Sequence, residues 1–176
     1  MTMTFDKVLT SPLYETKQLK LAIYKGVYVI QYLPGKRSQG KLTLRNAKQI
    51  VKDRYEFTKK AGVKLPMIID LSLYDSAESS ALLYWMKQEV RDDVAIAVIK
   101  VRGMTTFYIA VTWYNKFMAL SNNAVEAKFV KDKEFDLTEE IKWCHENYMS
   151  YLEKHELLEN EAAKDWIKEY SIVDGQ

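Results

Sequence analysis

The stretch that most constrains the fold is Leu65 to Leu71, Leu-Pro-Met-Ile-Ile-Asp-Leu. It is a short apolar run without polar alternation, bounded by turn signals and tipped by Asp70. A run of that kind suits a central strand covered on both faces. Strands covered on both faces belong to parallel sheets, whose crossovers are helices. Val94 to Val101 has the same character. The segment after the first run, Ser72-Leu73-Tyr74-Asp75-Ser76-Ala77-Glu78, reads as a loop and the start of a helix. In open α/β sheets, ligands gather at such strand-to-helix junctions.

The rest of the chain supplies the matching elements. Lys17 to Tyr24 alternates, with Leu19, Leu21 and Ile23 on one face, and Val27 to Leu33 is rich in β-branched and aromatic residues. Lys25-Gly26 between them predicts a two-residue hairpin turn. Thr43 is placed to cap a helix that carries Leu44, Ala47, Ile50, Val51, Arg54 and Tyr55 on one stripe, with Gly62 as its C-terminal glycine. Ser76 is the expected cap of the second helix, with Glu78 in its first turn. Arg91-Asp92-Asp93 is expected to break that helix. Gly103 opens a third, ended by Ser121-Asn122-Asn123, and Glu126 to Val130 makes a short strand. Asp136 and Glu139 form a capping box for a helix lined by Leu137, Ile141, Cys144, Tyr148 and Leu152. Glu153 to Tyr170 stays helical in character, striped by Leu158, Ala162, Trp166 and Ile167. The expected order is β-β-α-β-α-β-α-β-α in a mainly parallel α/β sheet with an antiparallel edge strand, plus a helical C-terminal tail. Residues 1–15 read as an N-terminal arm, 16–152 as the domain and 153–176 as the tail.

At 176 residues the chain suits one domain that buries its own core without a metal or disulfide staple. A net charge of +2, with both signs interleaved, does not point to nucleic acid. The single cysteine, Cys144, cannot form an intrachain disulfide, which fits a cytoplasmic setting. The N-terminus has no signal-like pattern, and no apolar stretch approaches a membrane span.

Several runs together resemble STAS/SpoIIAA-like domains and, more distantly, the lipid-binding SEC14-like domains. They are Tyr32-Leu33-Pro34-Gly35, Leu42-Thr43-Leu44-Arg45-Asn46-Ala47, Leu65 to Leu71, Ala95-Ile96-Ala97-Val98-Ile99 and Ala127-Lys128-Phe129. Within that group the chain is similar to small stand-alone bacterial members. The resemblance spans Leu19 to Glu146. It implies a regulatory or scaffold module that works by protein association. In anti-sigma factor antagonists the junction carries Asp-Ser-Ser-Gly, whose second serine is phosphorylated. Here the matching residues are Asp75-Ser76-Ala77-Glu78, without a hydroxyl at the acceptor position and with a carboxylate beside it. The usual phospho-switch is therefore not expected.

Chemistry elsewhere is sparse. His145 and His155 fall on the last helical stretch, away from the strand ends, and read as packing or surface residues. Cys144 sits on an apolar stripe and reads as a small hydrophobe. No glycine spacing matches a phosphate loop, and no ligand set for a metal or cofactor is apparent. Asp70 and Asp75 are a candidate carboxylate pair for acid–base work, or else ties for loop amides. Tyr74, Tyr84, Trp85, Phe107, Tyr108, Trp113, Tyr114 and Phe117 cluster on the second and third helices and the loop before them, joined by Met86, Met104 and Met118. A thick core, a homodimer interface or an apolar ligand pocket would each explain such helices, and the Trp166 stripe is a candidate cover. The leading expectation is a non-enzymatic module acting through a protein partner, as a homodimer. The alternatives are a small apolar or lipid-like ligand held between the sheet and these helices, and an enzyme using Asp70 and Asp75. The candidate binding residues are Asp70, Asp75, Ser76, Tyr74, Tyr84, Trp85, Phe107, Tyr108 and Tyr114.

Overall fold

The computed structural model describes residues 2–37, 39–87, 92–120 and 125–171, with 117, 118 and 120 as backbone alone. Arg91 and Ser121-Asn122-Asn123, expected to break and to end helices, lie outside the described residues, as do the side chains of Phe117 and Met118.

Among the described residues six strands form one sheet, in the order β1 (Tyr14–Glu15), β2 (Leu19–Tyr24), β3 (Val27–Tyr32), β5 (Met67–Asp70), β7 (Ile96–Val101), β8 (Glu126–Lys131). The last four run parallel, and β1 and β2 are antiparallel. This is the α/β architecture that the unbroken apolar runs imply. The β2–β3 turn has positive φ at both Lys25 and Gly26, 48° and 75°, as a type I′ turn requires. The expected antiparallel edge gains β1 as a further strand. A minor two-stranded sheet pairs β4 (Lys41–Leu42) with β6 (Ser76–Ala77).

The pleat of β2 and β3 divides the core. Leu19, Leu21, Tyr28, Ile30 and Tyr32 join Met67, Ile69 and Ala97 against α2 (Leu44–Thr58) and α3 (Ser79–Trp85). Ala22, Val27 and Val29 join Ile68, Val98 and Val130 against α1 (Phe5–Val8) and α5 (Leu137–Lys154). Alternate residues of one strand thus serve opposite faces. Phe5 and Leu9 are buried, so the N-terminal segment belongs to the core. The α5 stripe Leu137, Ile141, Cys144, Tyr148 and Leu152 is buried throughout. Asp136 caps that helix by accepting from the Glu139 amide at 3.1 Å, and Thr43 does the same for α2 from Asn46 at 3.2 Å.

Four expectations are corrected. Ser76 does not cap the second helix, because it is already spent in the β4–β6 ladder. The helix begins at Ser79, and Glu78 stands at its N-cap without capping it. The Glu78 carboxylate instead accepts from the Leu44 amide at 3.0 Å, at the start of α2. Gly62 is not a helix cap, since α2 closes at Lys59 in helical conformation. Gly62 allows close approach: a Cβ there would stand 3.1 Å from Ala162 Cβ. The tail is not one continuous helix. After α5 a turn with positive φ at Glu156 leads to α6 (Glu161–Tyr170), capped by Asn160, and Leu158 is exposed. Nor does Trp166 cover the second and third helices. It packs with Tyr148, Leu152, Ala95 and Ile96, and its indole donates to the Gly26 carbonyl at 2.9 Å. The tail closes over α5 and the hairpin turn instead.

Candidate functional site

With the tail elsewhere, α3 and α4 (Gly103–Leu120) leave space above the sheet. A cavity of about 210 Å³, partly open to solvent, lies between them and β3, β5, β7 and β8. Ile69, Ala97, Ile99, Ala127 and Phe129 line it from the strands, Leu82, Trp85 and Met86 from α3 and the turn after it, and Ala110, Trp113 and Tyr114 from α4. Three alanines, Ala97, Ala110 and Ala127, stand where longer side chains would fill the space. Native cores rarely hold voids much larger than a water molecule, and this volume equals roughly seven waters at ~30 Å³ each.

The polar groups on the wall are tied to the protein. Trp85 Nε1 donates to the Ala47 carbonyl at 3.2 Å, which pins α3 to α2. The Tyr114 hydroxyl donates to the Val125 carbonyl at 2.7 Å and accepts from the Ala127 amide at 3.2 Å, which pins α4 to the start of β8. Arg54 also lines the cavity, 5% exposed, with Asp93 beside it at 7%. Its Nε and Nη2 donate to both Asp93 oxygens at 2.9 and 2.7 Å, and Nη1 donates to the Tyr32 hydroxyl at 2.9 Å. Thr58 donates to Asp93 at 2.7 Å. Asp93 and Tyr32 overcome the cost of burying the guanidinium and hold its pKa above the ordinary value. The cavity therefore borders a neutralised ion pair, not a naked charge.

The sequence-derived candidates divide. Trp85 and Tyr114 line the cavity. Tyr74 is buried nearby in the same core, its hydroxyl donating to the Leu33 carbonyl at 2.9 Å. Tyr84 packs on that core and carries the Lys48 and Lys87 ammonium groups 5.8 Å from its ring. Phe107 lies against Tyr108, ring centroids 6.0 Å apart, and Tyr108 is exposed; neither lines the cavity. Ser76 is exposed in β6.

The two aspartates serve different partners. Asp70, buried, accepts from the Ser72 amide at 2.7 Å and from Gln31 Nε2 at 3.3 Å, with Lys100 Nζ at 3.6 Å. Lys100 also sits 5.0 and 5.1 Å from the Phe5 and Phe135 rings. Asp75 is exposed and pairs with Arg102. Asp70 thus fastens its loop and a partly buried lysine, the tie that turn chemistry favours, while Asp75 forms a surface bridge.

Cys144 is buried and His145 is packed against neighbours, while His155 is exposed. Burial, then the Glu140 charge, pushes the Cys144 thiol far up from its ordinary value. His145 Nε2 is 2.7 Å from the Lys25 carbonyl and its ring meets Trp166 edge-on. Among the described residues no cluster of three or more His, Cys, Asp or Glu is placed to hold a metal ion, and no helix is long and apolar enough to cross a membrane.

No protein-family model matches the chain, and neither does any curated protein or solved structure. Sequence reasoning missed Tyr32, Arg54 and the three alanines. An arginine in register with Ala47 and Ile50 was the available signal.

Proposed function

We propose that this chain is a non-enzymatic binding module, of the STAS/SpoIIAA-like kind, that takes a small apolar ligand between its sheet and α3 and α4. The cavity of about 210 Å³ carries the proposal. Its walls are almost wholly apolar and partly open to solvent, so an apolar ligand seated there removes that surface from water. A cavity of ~150 Å³ holds benzene, so this one suits about eight or nine non-hydrogen atoms, by the same scaling. Titration of the isotope-labelled protein with cumene, followed by NMR, tests this. Saturable shifts at Ile69, Leu82, Ala97 and Ala127 are expected, and their absence would end the proposal.

A second reading, self-association through the outer faces of the same helices, is favoured by Leu83, Met104, Tyr108 and Ile109, all exposed apolar groups on α3 and α4. Sedimentation at high concentration distinguishes it: a strict monomer removes it and leaves the cavity reading intact.

A further inference from the structure

Tyr32 differs from the other polar groups on the cavity wall. Its side chain is buried, 2% exposed, and lines the cavity together with Arg54. Its ring is fixed between α2 and α3 by the guanidinium and by the Trp85 ring, 5.8 Å between centroids. The hydroxyl oxygen accepts from Arg54 Nη1 at 2.9 Å, so its own hydrogen must point away from the guanidinium. Among the described residues no acceptor meets that hydrogen. A buried O–H without an acceptor is costly, and native structures seldom leave one. Accepting from a cation also polarises the O–H and makes it a stronger donor. Trp113 lines the cavity as well, but it is only partly buried.

We infer that Tyr32 is a specificity-determining donor, and that the ligand is a neutral, compact apolar molecule carrying one carbonyl or ether oxygen that accepts from the Tyr32 hydroxyl. This rests on the apolar-ligand reading above. Anions are disfavoured, because Asp93 already neutralises Arg54 with two hydrogen bonds and a second buried negative charge would be unpaired. Polyols are disfavoured because the rest of the wall offers mainly apolar surface. The oxygen sits at the Tyr32 hydroxyl and the hydrocarbon part lies over Ala97 and Ala127.

Acetophenone and cumene test this as a pair. They have the same number of non-hydrogen atoms and a similar size, and differ chiefly in whether an acceptor is present. Dissociation constants of both are measured on the unaltered protein and on Tyr32→Phe. The change is expected to weaken acetophenone roughly two- to tenfold, the span of a single hydrogen bond, and to leave cumene within about twofold. If acetophenone is weakened no more than cumene, or fails to bind where cumene binds, the inference is overturned and the apolar site stands. If neither binds, both fall. Should Tyr32→Phe not fold, the carbonyl stretch of acetophenone bound to the unaltered protein decides. A band displaced below its position in a hydrocarbon solvent is expected, and a hydrocarbon-like band overturns the inference.

Discussion

Arg54 and Asp93 lie 39 residues apart and meet in the core with two short bonds. Removing the Arg54 guanidinium strands the Asp93 carboxylate, at a cost of about 3–5 kcal/mol. Arg54→Leu should therefore lower stability by about that much in urea unfolding, and adding Asp93→Leu should recover most of it. A single change costing under ~1 kcal/mol would show that water or another group compensates. Gly26 makes a second residue-level case. Its φ is +75° and a Cβ there would stand 2.3 Å from the Trp166 indole nitrogen, so Gly26→Ala should lower the melting temperature through strain and displacement of Trp166 together. Neither residue was fully legible from the chain. Arg54 occupied an apolar stripe, which marked it as inward-facing, but Asp93 sat in a charged triplet that reads equally well as a surface turn. Gly26 was legible as a turn glycine. Its second role depends on a helix far along the chain.

At the scale of elements, α4 matters for what it leaves unfilled. Ala127→Leu should occupy the cavity, abolish the cumene shifts in an NMR titration, and keep or raise thermal stability by up to ~1–2 kcal/mol. Loss of stability with cumene binding retained would place the space elsewhere. The strands and helices themselves were readable, because period-2 and period-3.6 patterns state which face is buried. What patterns do not state is the address of that face. The tail stripe around Trp166 announced a docking helix, yet the surface it meets depends on Gly62 permitting contact with Ala162 and on an open carbonyl at Gly26. Ser76 failed as a cap for a similar reason. Local preference favoured a cap, but a two-residue ladder with Lys41-Leu42 claimed its backbone first. The cavity was anticipated only as a location. Its volume comes from alanines on three separate elements.

The whole molecule carries a pH signature. Burial pushes the Tyr28 and Tyr74 hydroxyls up to about 12, with the Asp93 charge adding to Tyr28. Unfolded tyrosines ionise near ~10. Below that value both states are neutral and the stability is fully present. Above it the unfolded chain sheds protons that the folded chain keeps, so stability falls as pH rises through about 12. Ultraviolet titration should show these tyrosines ionising late and together with unfolding. Ionisation of all tyrosines near pH ~10 in a protein that stays folded would contradict this burial. The bond from Trp166 to Gly26 joins positions 140 residues apart, and that separation has a consequence in time. During synthesis the helix that seals the β2–β3 turn emerges about 140 residues after the turn itself. A nascent chain can assemble most of the sheet while the surface under α6 stays uncovered, so completion of this fold waits for the ribosome to deliver residue 166.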